Sequence, residues 1–572
     1  MKKLLVLGVL AVAVCLVALV APASAAGTLY VDDDGLCAGN SPCYTHPQDA
    51  VNAADPGDTI LVYPGTYDSR YFVCDWDPNC SGSDLWAPAL IVYKDGLTIQ
   101  SVDGPSNTII QSTHNFWSNP YPVEDSTAGG ITGISGWAPN AITIVADNVT
   151  IDGFTLHRHY EGTWATRNTA GVFIGSKGAG YPDFLGNANG ATVTNNVFSD
   201  VWHAVYMWHS SGNQITDNTI AALGNTGHWA GISIYDGDSA ASIGYGNLST
   251  NNVIARNTLA DKGISVGAWA PPIPTDNSGT EIVGNTVQGS IAFYYTASSG
   301  VEILDNTLPG PSAGQIIFGG QYPCTSCVVS GNTVGAGTGN GIQLTKMTGG
   351  SVSENDVSGR TANGIALLLS SDVDIVGNTA HDNGASGIVV AQNSTRIDVS
   401  GNEILRNAGN ADNKGGLTIK GGASLTTVVN NTINENTQYG VWIKSDAGSD
   451  NVFHCNSIVA NASGVGMWND TLLVNAEENF WGDGTGPVSP NNVTSGSVDY
   501  TPWAWMLPGV CPGPQTGGVG GTTELRSVSD SPQREASGSG PSSLPYAALV
   551  GGAAAALALT AGAWYARRRW VR

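Results

Sequence analysis

Positive charge is scarce in this chain. Only 22 of its 572 residues are Lys or Arg, against 46 Asp and Glu, and the formal net charge is −24. Lys2, Lys3, Arg567, Arg568, Arg569 and Arg572 lie at the two ends; without them the middle stands at −30. A body this acidic repels nucleic acid, and so few cations argue against a grip on polyanions such as pectate or alginate. Charged residues of both signs reach only 12%, and no helical periodicity runs through the body, which fits a helical protein poorly. Methionine is almost missing, with five residues.

What is present is a repeat. ITDNTI ends at Ile220, IVGNTV at Val287, ILDNTL at Leu308, VVSGNTV at Val334, IVGNTA at Ala380 and VVNNTI at Ile433. Asn285, Asn306, Asn332, Asn355, Asn378, Asn402, Asn431 and Asn456 follow one another at spacings of 21, 26, 23, 23, 24, 29 and 25. A period in that range, rich in Gly and β-branched residues, means stacked units. Leucine-rich repeats would need Leu at fixed positions and WD propellers a Trp-Asp pair with a longer period, and neither occurs. The reading is an all-β, single-stranded parallel β-helix. Each coil holds two or three short strands, and about 14 coils at ~4.8 Å make a rod of roughly 65–70 Å. The recurrent Asn is expected in the left-handed turn conformation, with its amide bonding the Asn one coil along. The apolar residue beside it is expected to point inward.

Residues 1–26 read as a secretory signal: two lysines, an apolar run from Leu4 to Val20, then Ala23-Ser24-Ala25. Residues 27–96 form an N-terminal cap and first coils, with a short helix near Gln48–Ala54 and a strand over Asp58–Val62. Residues 97–507 are the β-helix, with strands at Leu97–Gln100 and Val149–Leu156 and long insertions at 70–90 and 112–140. A Gly/Ser/Pro-rich stalk follows over 508–543. Residues 544–566 are long enough to cross a membrane, and the basic tail 567–572 would stay inside, leaving the β-helix outside the cell. A sorting tail that is cut and replaced by a covalent anchor is the other reading of 544–566. Eight cysteines remain after the signal, suited to an oxidising compartment. Local spacing pairs Cys37 with Cys43, Cys74 with Cys80 and Cys324 with Cys327, which leaves Cys455 for Cys511.

The opening AVNAADPGDTILVYPGTY, the Asn-turn repeats and the closing ENFWGDGTGP (Glu478–Pro487) with VDYTPWA (Val498–Ala504) resemble the pectin-lyase-like superfamily of right-handed parallel β-helices. The resemblance covers roughly residues 28–505. It implies the fold, not one activity, since lyases, hydrolases, epimerases and adhesins all share it. The Gly-His-Gly and Arg-Ile-Lys stretches of polygalacturonase-like enzymes and the Asp-Pro-His stretch of alginate epimerases are absent. One β-helix relative assists copper delivery. With so few methionines and no His or Met cluster, that role is not expected here.

Aromatic and imidazole side chains crowd one region. Trp164, Trp202, Tyr206, Trp208, Trp229, Tyr235, Trp269 and Tyr294 lie in consecutive coils and would stack into a lateral stripe of the kind sugar rings pack against. The plainer reading has these rings packing under the loops at 160–190 and 236–250. Asp200, Asp236 and Asp238 are the candidate acids and His203 and His209 the candidate bases, should the stripe be catalytic. Asp32, Asp33 and Asp34 offer hard oxygens to calcium, although their spacing matches no calcium loop and a solvated turn explains them as well. No other cofactor is implied. Asn148, Asn393, Asn461 and Asn492 stand in glycosylation sequons.

Together these features describe a surface-anchored β-helix acting in glycan recognition, adhesion or envelope structure. The alternative is an anchored glycoside hydrolase or polysaccharide lyase with its site around 157–295. The expected partners are a polysaccharide or cell-surface glycan and, through the C-terminal helix, a membrane. Nucleic acid is excluded and self-association is open.

Overall fold

The computed structural model describes residues 26–68, 73–74, 85–86, 89–111, 140–157, 170–175, 188–221, 230–235, 249–267, 275–319, 322–482, 484–487 and 493–504. Within them the chain winds as a right-handed parallel β-helix. Each full coil contributes three strands, one to each of three faces. Coil Ala170–Ser199, for example, supplies Ala170–Gly175 to a first face, Thr192–Thr194 to a second and Val197–Ser199 to a third. The third face is a sheet of 14 strands, in keeping with the coil number the repeat suggests. The long strand Val465–Asn475 pairs with strands of both other faces and joins them into one sheet.

The repeated phrase now has a physical meaning. In ITDNTI, Ile215 points into the core, Asp217 turns the chain, Asn218 points inward, Thr219 faces solvent and Ile220 returns to the core. Twelve asparagines (196, 218, 257, 285, 306, 332, 355, 378, 402, 431, 456 and 479) form one buried ladder, each amide donating to the side-chain oxygen of the next. The same oxygen also accepts the preceding rung's backbone N–H, as between Asn332 and Asn355 at 3.0 Å. Every rung therefore satisfies backbone groups that the bend takes out of the sheets.

The expected left-handed Asn is corrected. The left-handed residue is the one before each ladder Asn: Asn195, Asp217, Arg256, Gly284, Asp305, Gly331, Glu354, Gly377, Gly401, Asn430, Cys455 and Glu478, with φ between +55° and +68°. Most of these side chains project into solvent, so polar residues or Gly serve equally. The bend they create swings the following Asn inward, where only an amide fits the spacing between rungs.

Inside, apolar side chains stack in files. Val205, Ile232, Ile264, Ile291, Ile316, Ile342, Ile365, Ile388, Leu417, Val441 and Met467 form one file along the first face, all but inaccessible to water. A buried Leu, Ile or Val is worth about 1.5–3 kcal/mol, so each coil adds several such increments and a continuous core results.

The ends are closed as the sequence suggests. The capping helix spans Pro47–Ala53 and the strand after it Thr59–Val62. His46 caps the helix by accepting the Gln48 N–H at 3.1 Å. Gln48 then bonds both backbone groups of Ile91, its Oε1 taking the N–H at 2.7 Å and its Nε2 reaching the carbonyl at 3.1 Å. One side chain thus replaces a missing neighbouring strand at the sheet edge. At the far end, Asn479 of the ENFWGDGTGP motif is the last rung of the ladder and Trp481 plugs the core.

Other boundaries shift. The strand expected at Leu97–Gln100 runs Thr98–Ser101, and Val149–Leu156 divides into Thr150–Asp152 and Thr155–His157 around Gly153, whose φ is +82°. Disulfides join Cys37 to Cys43 and Cys324 to Cys327. Cys455 is disulfide-bonded, while Cys511 and Cys80 lie outside the described residues. The signal, stalk, segment 544–566 and basic tail lie outside them too. No helix among the described residues is long and apolar enough to cross a membrane.

Candidate functional site

Alternation along the first face decides which side chains look outward. On the strand His203–Trp208, Val205 and Met207 enter the core, so Tyr206 and Trp208 stand on the outer surface. Parallel register then aligns Phe173, Tyr206 and Ser233 in one outward file and Gly175, Trp208, Tyr235, Gly267 and Tyr294 in the next. Of the eight aromatics expected in a stripe, Tyr206, Trp208, Tyr235 and Tyr294 fall in these two files.

Its rings touch. Phe173 and Tyr206 stack with centroids 5.8 Å apart, Tyr206 and Tyr235 stack at 6.1 Å, and Trp208 meets Tyr235 edge-on at 5.2 Å. Tyr206 and Trp208 are only 8% and 7% exposed, so they form the floor of the wall and not an open platform. Phe173, Tyr235 and Tyr294 are half-buried and keep part of their surface in solvent. Tyr294 is set one rung beyond Gly267, and that glycine leaves a gap between Tyr235 and Tyr294 in the file.

The candidate bases flank this wall. His203 is buried, its Nδ1 lies 3.2 Å from Ser233 Oγ, and its ring is 4.9 Å from that of Tyr206. Burial pushes its pKa down to about 4, and that of His209 equally to about 4. Both imidazoles are therefore neutral at pH 7, and a base that weak has little pull on a substrate proton there. Asp200 occupies a turn with φ +51°, just before half-buried Trp202. Asp236, Asp238, Trp164, Trp229 and Trp269 lie outside the described residues. The geometry brings together His203, Tyr206, Trp208, His209 and Tyr235. Phe173 was missed, although its position 33 residues before Tyr206 marks it as a rung neighbour once the loop insertion is allowed for.

Metal donors are dispersed. Among the described residues no group of three or more His, Cys, Asp or Glu is placed to hold a metal ion. Asp32 Oδ2 accepts the Cys37 N–H at 3.1 Å and Asp34 Oδ1 accepts the Leu36 N–H at 2.8 Å, so these carboxylates shape a turn. Burial, with Asp34 and Asp33 nearby, raises the pKa of Asp32. Met207, Met347 and Met467 are core residues. The Asn461 sequon is occupied structurally, its side-chain oxygen accepting from Asn436 at 3.1 Å.

Among solved structures, the A-module of the Azotobacter vinelandii mannuronan C-5 epimerase AlgE4 is 14% identical with a TM-score of 0.36, covering 71% of this chain and 90% of that one. The periplasmic alginate epimerase AlgG gives 14% and 0.35 over 72% and 84%. A mannuronic acid specific polysaccharide family 6 lyase from human gut microbiota gives 11% and 0.36 over 75% and 86%. Each likeness is too slight to transfer anything to this chain. No curated protein matches it. Residues 88–322 and 245–420, together more than half the chain, match the family described as periplasmic copper-binding protein (NosD), and the chain belongs to that family.

Proposed function

We propose that this protein is an extracytoplasmic rod that recognises glycan along its first face and is held at the cell surface through residues 544–566. The observation that carries the reading is the wall of outward rings, Phe173, Tyr206, Trp208 and Tyr235 with Tyr294 beyond the Gly267 gap. Partly exposed aromatic rings over a rigid floor suit the apolar faces of sugar rings. The disulfides and the family's periplasmic description support a location outside the cytoplasm. That description also names copper; among the described residues no group of three or more His, Cys, Asp or Glu is placed to hold a metal ion.

The test is a glycan panel presented to the mature chain without its C-terminal segment. Tyr235→Ala combined with Tyr294→Ala should weaken binding at least ten-fold while leaving the unfolding midpoint within a few degrees. Reducing-end and unsaturated-uronide assays run alongside. Turnover abolished by Asp236→Asn or His203→Ala would replace this reading with the enzymatic one.

A further inference from the structure

We propose that a second wall on the same face, formed by Tyr439, Trp442 and Trp468 with Lys414, Lys420 and Lys444, binds the carboxylate-bearing sugars of an anionic polysaccharide. Trp442 lies nine rungs from Tyr206, and this wall stands or falls apart from the first.

Register places the parts. Strands Gly415–Ile419, Tyr439–Ile443 and Val465–Asn475 stack so that Thr418, Trp442 and Trp468 share one outward file. Trp468 stacks on Tyr439 with centroids 5.1 Å apart and an interplanar angle of 17°. A single carboxylate orients both indoles: Trp442 Nε1 donates to Asp470 Oδ2 at 3.0 Å and Trp468 Nε1 to Oδ1 at 2.6 Å. With both indole N–H groups engaged, what the half-buried Trp468 and Tyr439 present to solvent is apolar ring. Trp442 is buried beneath them as support.

Cations converge on the same spot. The ammonium groups of Lys414 and Lys444 sit 5.4 and 5.9 Å from the Trp442 ring centre. Lys420 is near enough that Lys444 joins burial in lowering its pKa. Elsewhere the described arginines are committed. Arg256, Arg396 and Arg406 are gripped by both oxygens of Asp217, Asp372 and Asp382, and buried Arg360 donates to the carbonyls of Ala313, Gly335 and Thr338. Lys414 has no described carboxylate within ion-pair range, Lys420 donates to the Asp412 carbonyl at 3.2 Å with the Asp412 and Asp446 carboxylates acting on it from farther off, and Lys444 is loosely paired with Asp446 at 3.7 Å. A chain of net charge −24 has thus set Lys414 and Lys444 over one indole and Lys420 near Lys444. Fields at the surface are local, screened within about 10 Å at 0.1 M salt, so the acidic average does not forbid an anion here.

The ligand class follows from having both elements. A neutral sugar would use the rings and leave the lysines, and an inorganic anion would use the lysines and leave the rings. A uronate sugar presents an apolar ring face and a carboxylate at its edge.

Calorimetry of the mature chain with polygalacturonate, with the same polymer after carboxyl reduction, and with inorganic phosphate tests this. Expected are binding to polygalacturonate that weakens as salt rises, at least a ten-fold loss in Lys414→Ala/Lys444→Ala and in Trp468→Ala, and none in Tyr235→Ala/Tyr294→Ala. Lys414→Arg and Trp468→Phe should retain most of the affinity, which separates loss of contact from loss of fold. Absence of polygalacturonate binding, equal binding of the carboxyl-reduced polymer, or phosphate binding that ignores Trp468→Ala would each overturn the proposal.

Discussion

Asn332 Nδ2 donates to Asn355 Oδ1 at 2.9 Å, across one rung and 23 residues of chain. Asn355 in turn donates to the Val329 carbonyl at 2.9 Å, so each ladder amide stitches its own rung to those before and after it. Asn355→Ala orphans the buried Asn332 backbone N–H and takes an acceptor from the Asn332 amide. About 1–3 kcal/mol for each buried group left unpaired is expected. A denaturant series on Asn355→Ala, with an exposed control such as Thr333→Ala, measures it, and equal midpoints for the two variants would refute the role assigned to the ladder.

Stability should fall in mild acid for a local reason. The unfolded chain protonates its histidines near pH 6.5, while burial holds His203 and His209 neutral down to about 4. Folded stability from this source is complete above 6.5, declines between 6.5 and 4, and levels off below. At 1.36 kcal/mol per pKa unit, each histidine accounts for roughly 3 kcal/mol of the decline. Urea midpoints at pH 7.5 and 4.5 should differ less in His203→Gln than in the parent; an unchanged difference counts against the assignment.

Gly267 is required by a close approach. Its φ is +112°, and a Cβ there would lie 1.9 Å from the Tyr294 carbonyl oxygen. Gly267→Ala should destabilise by about 2 kcal/mol or more and loosen Tyr294. Gly300, with φ +59° and open space around it, is the comparison: Gly300→Ala should cost only about 1 kcal/mol from its backbone conformation. Thermal unfolding of the pair decides, and similar losses would remove the steric explanation.

The Cys37–Cys43 disulfide closes a span of six residues beside the first strands, where Cys43 pairs with Tyr30. A loop that short corresponds to about 2 kcal/mol in the chain-entropy account. Replacing both cysteines with Ser should lower stability by that amount and expose the N-terminal cap to proteolysis before the ladder region. Limited proteolysis followed by mass mapping of the first cuts checks the order.

By itself the sequence determined that the chain is a stack of rungs and which asparagines meet, because a repeat of two dozen residues has no other economical way to pair its strands. It also identified the cap, the closing motif and two described disulfides, all of which depend on near neighbours in the chain. Tertiary structure alone decided the rest. Which residue takes the left-handed bend is set by the inward pull on the following Asn, and Asn and its neighbour look equally suited on paper. Whether an outward ring is floor or platform depends on what covers it, so Tyr206 and Trp208 are buried while Phe173 and Tyr235 stay half-exposed. Trp442 and Trp468 stand 26 residues apart, a spacing within the Asn period, yet their meeting with Lys414 and Lys444 needed the register of three coils. Periodicity reports which rung a residue occupies; the direction its side chain takes, and its company there, follow from packing.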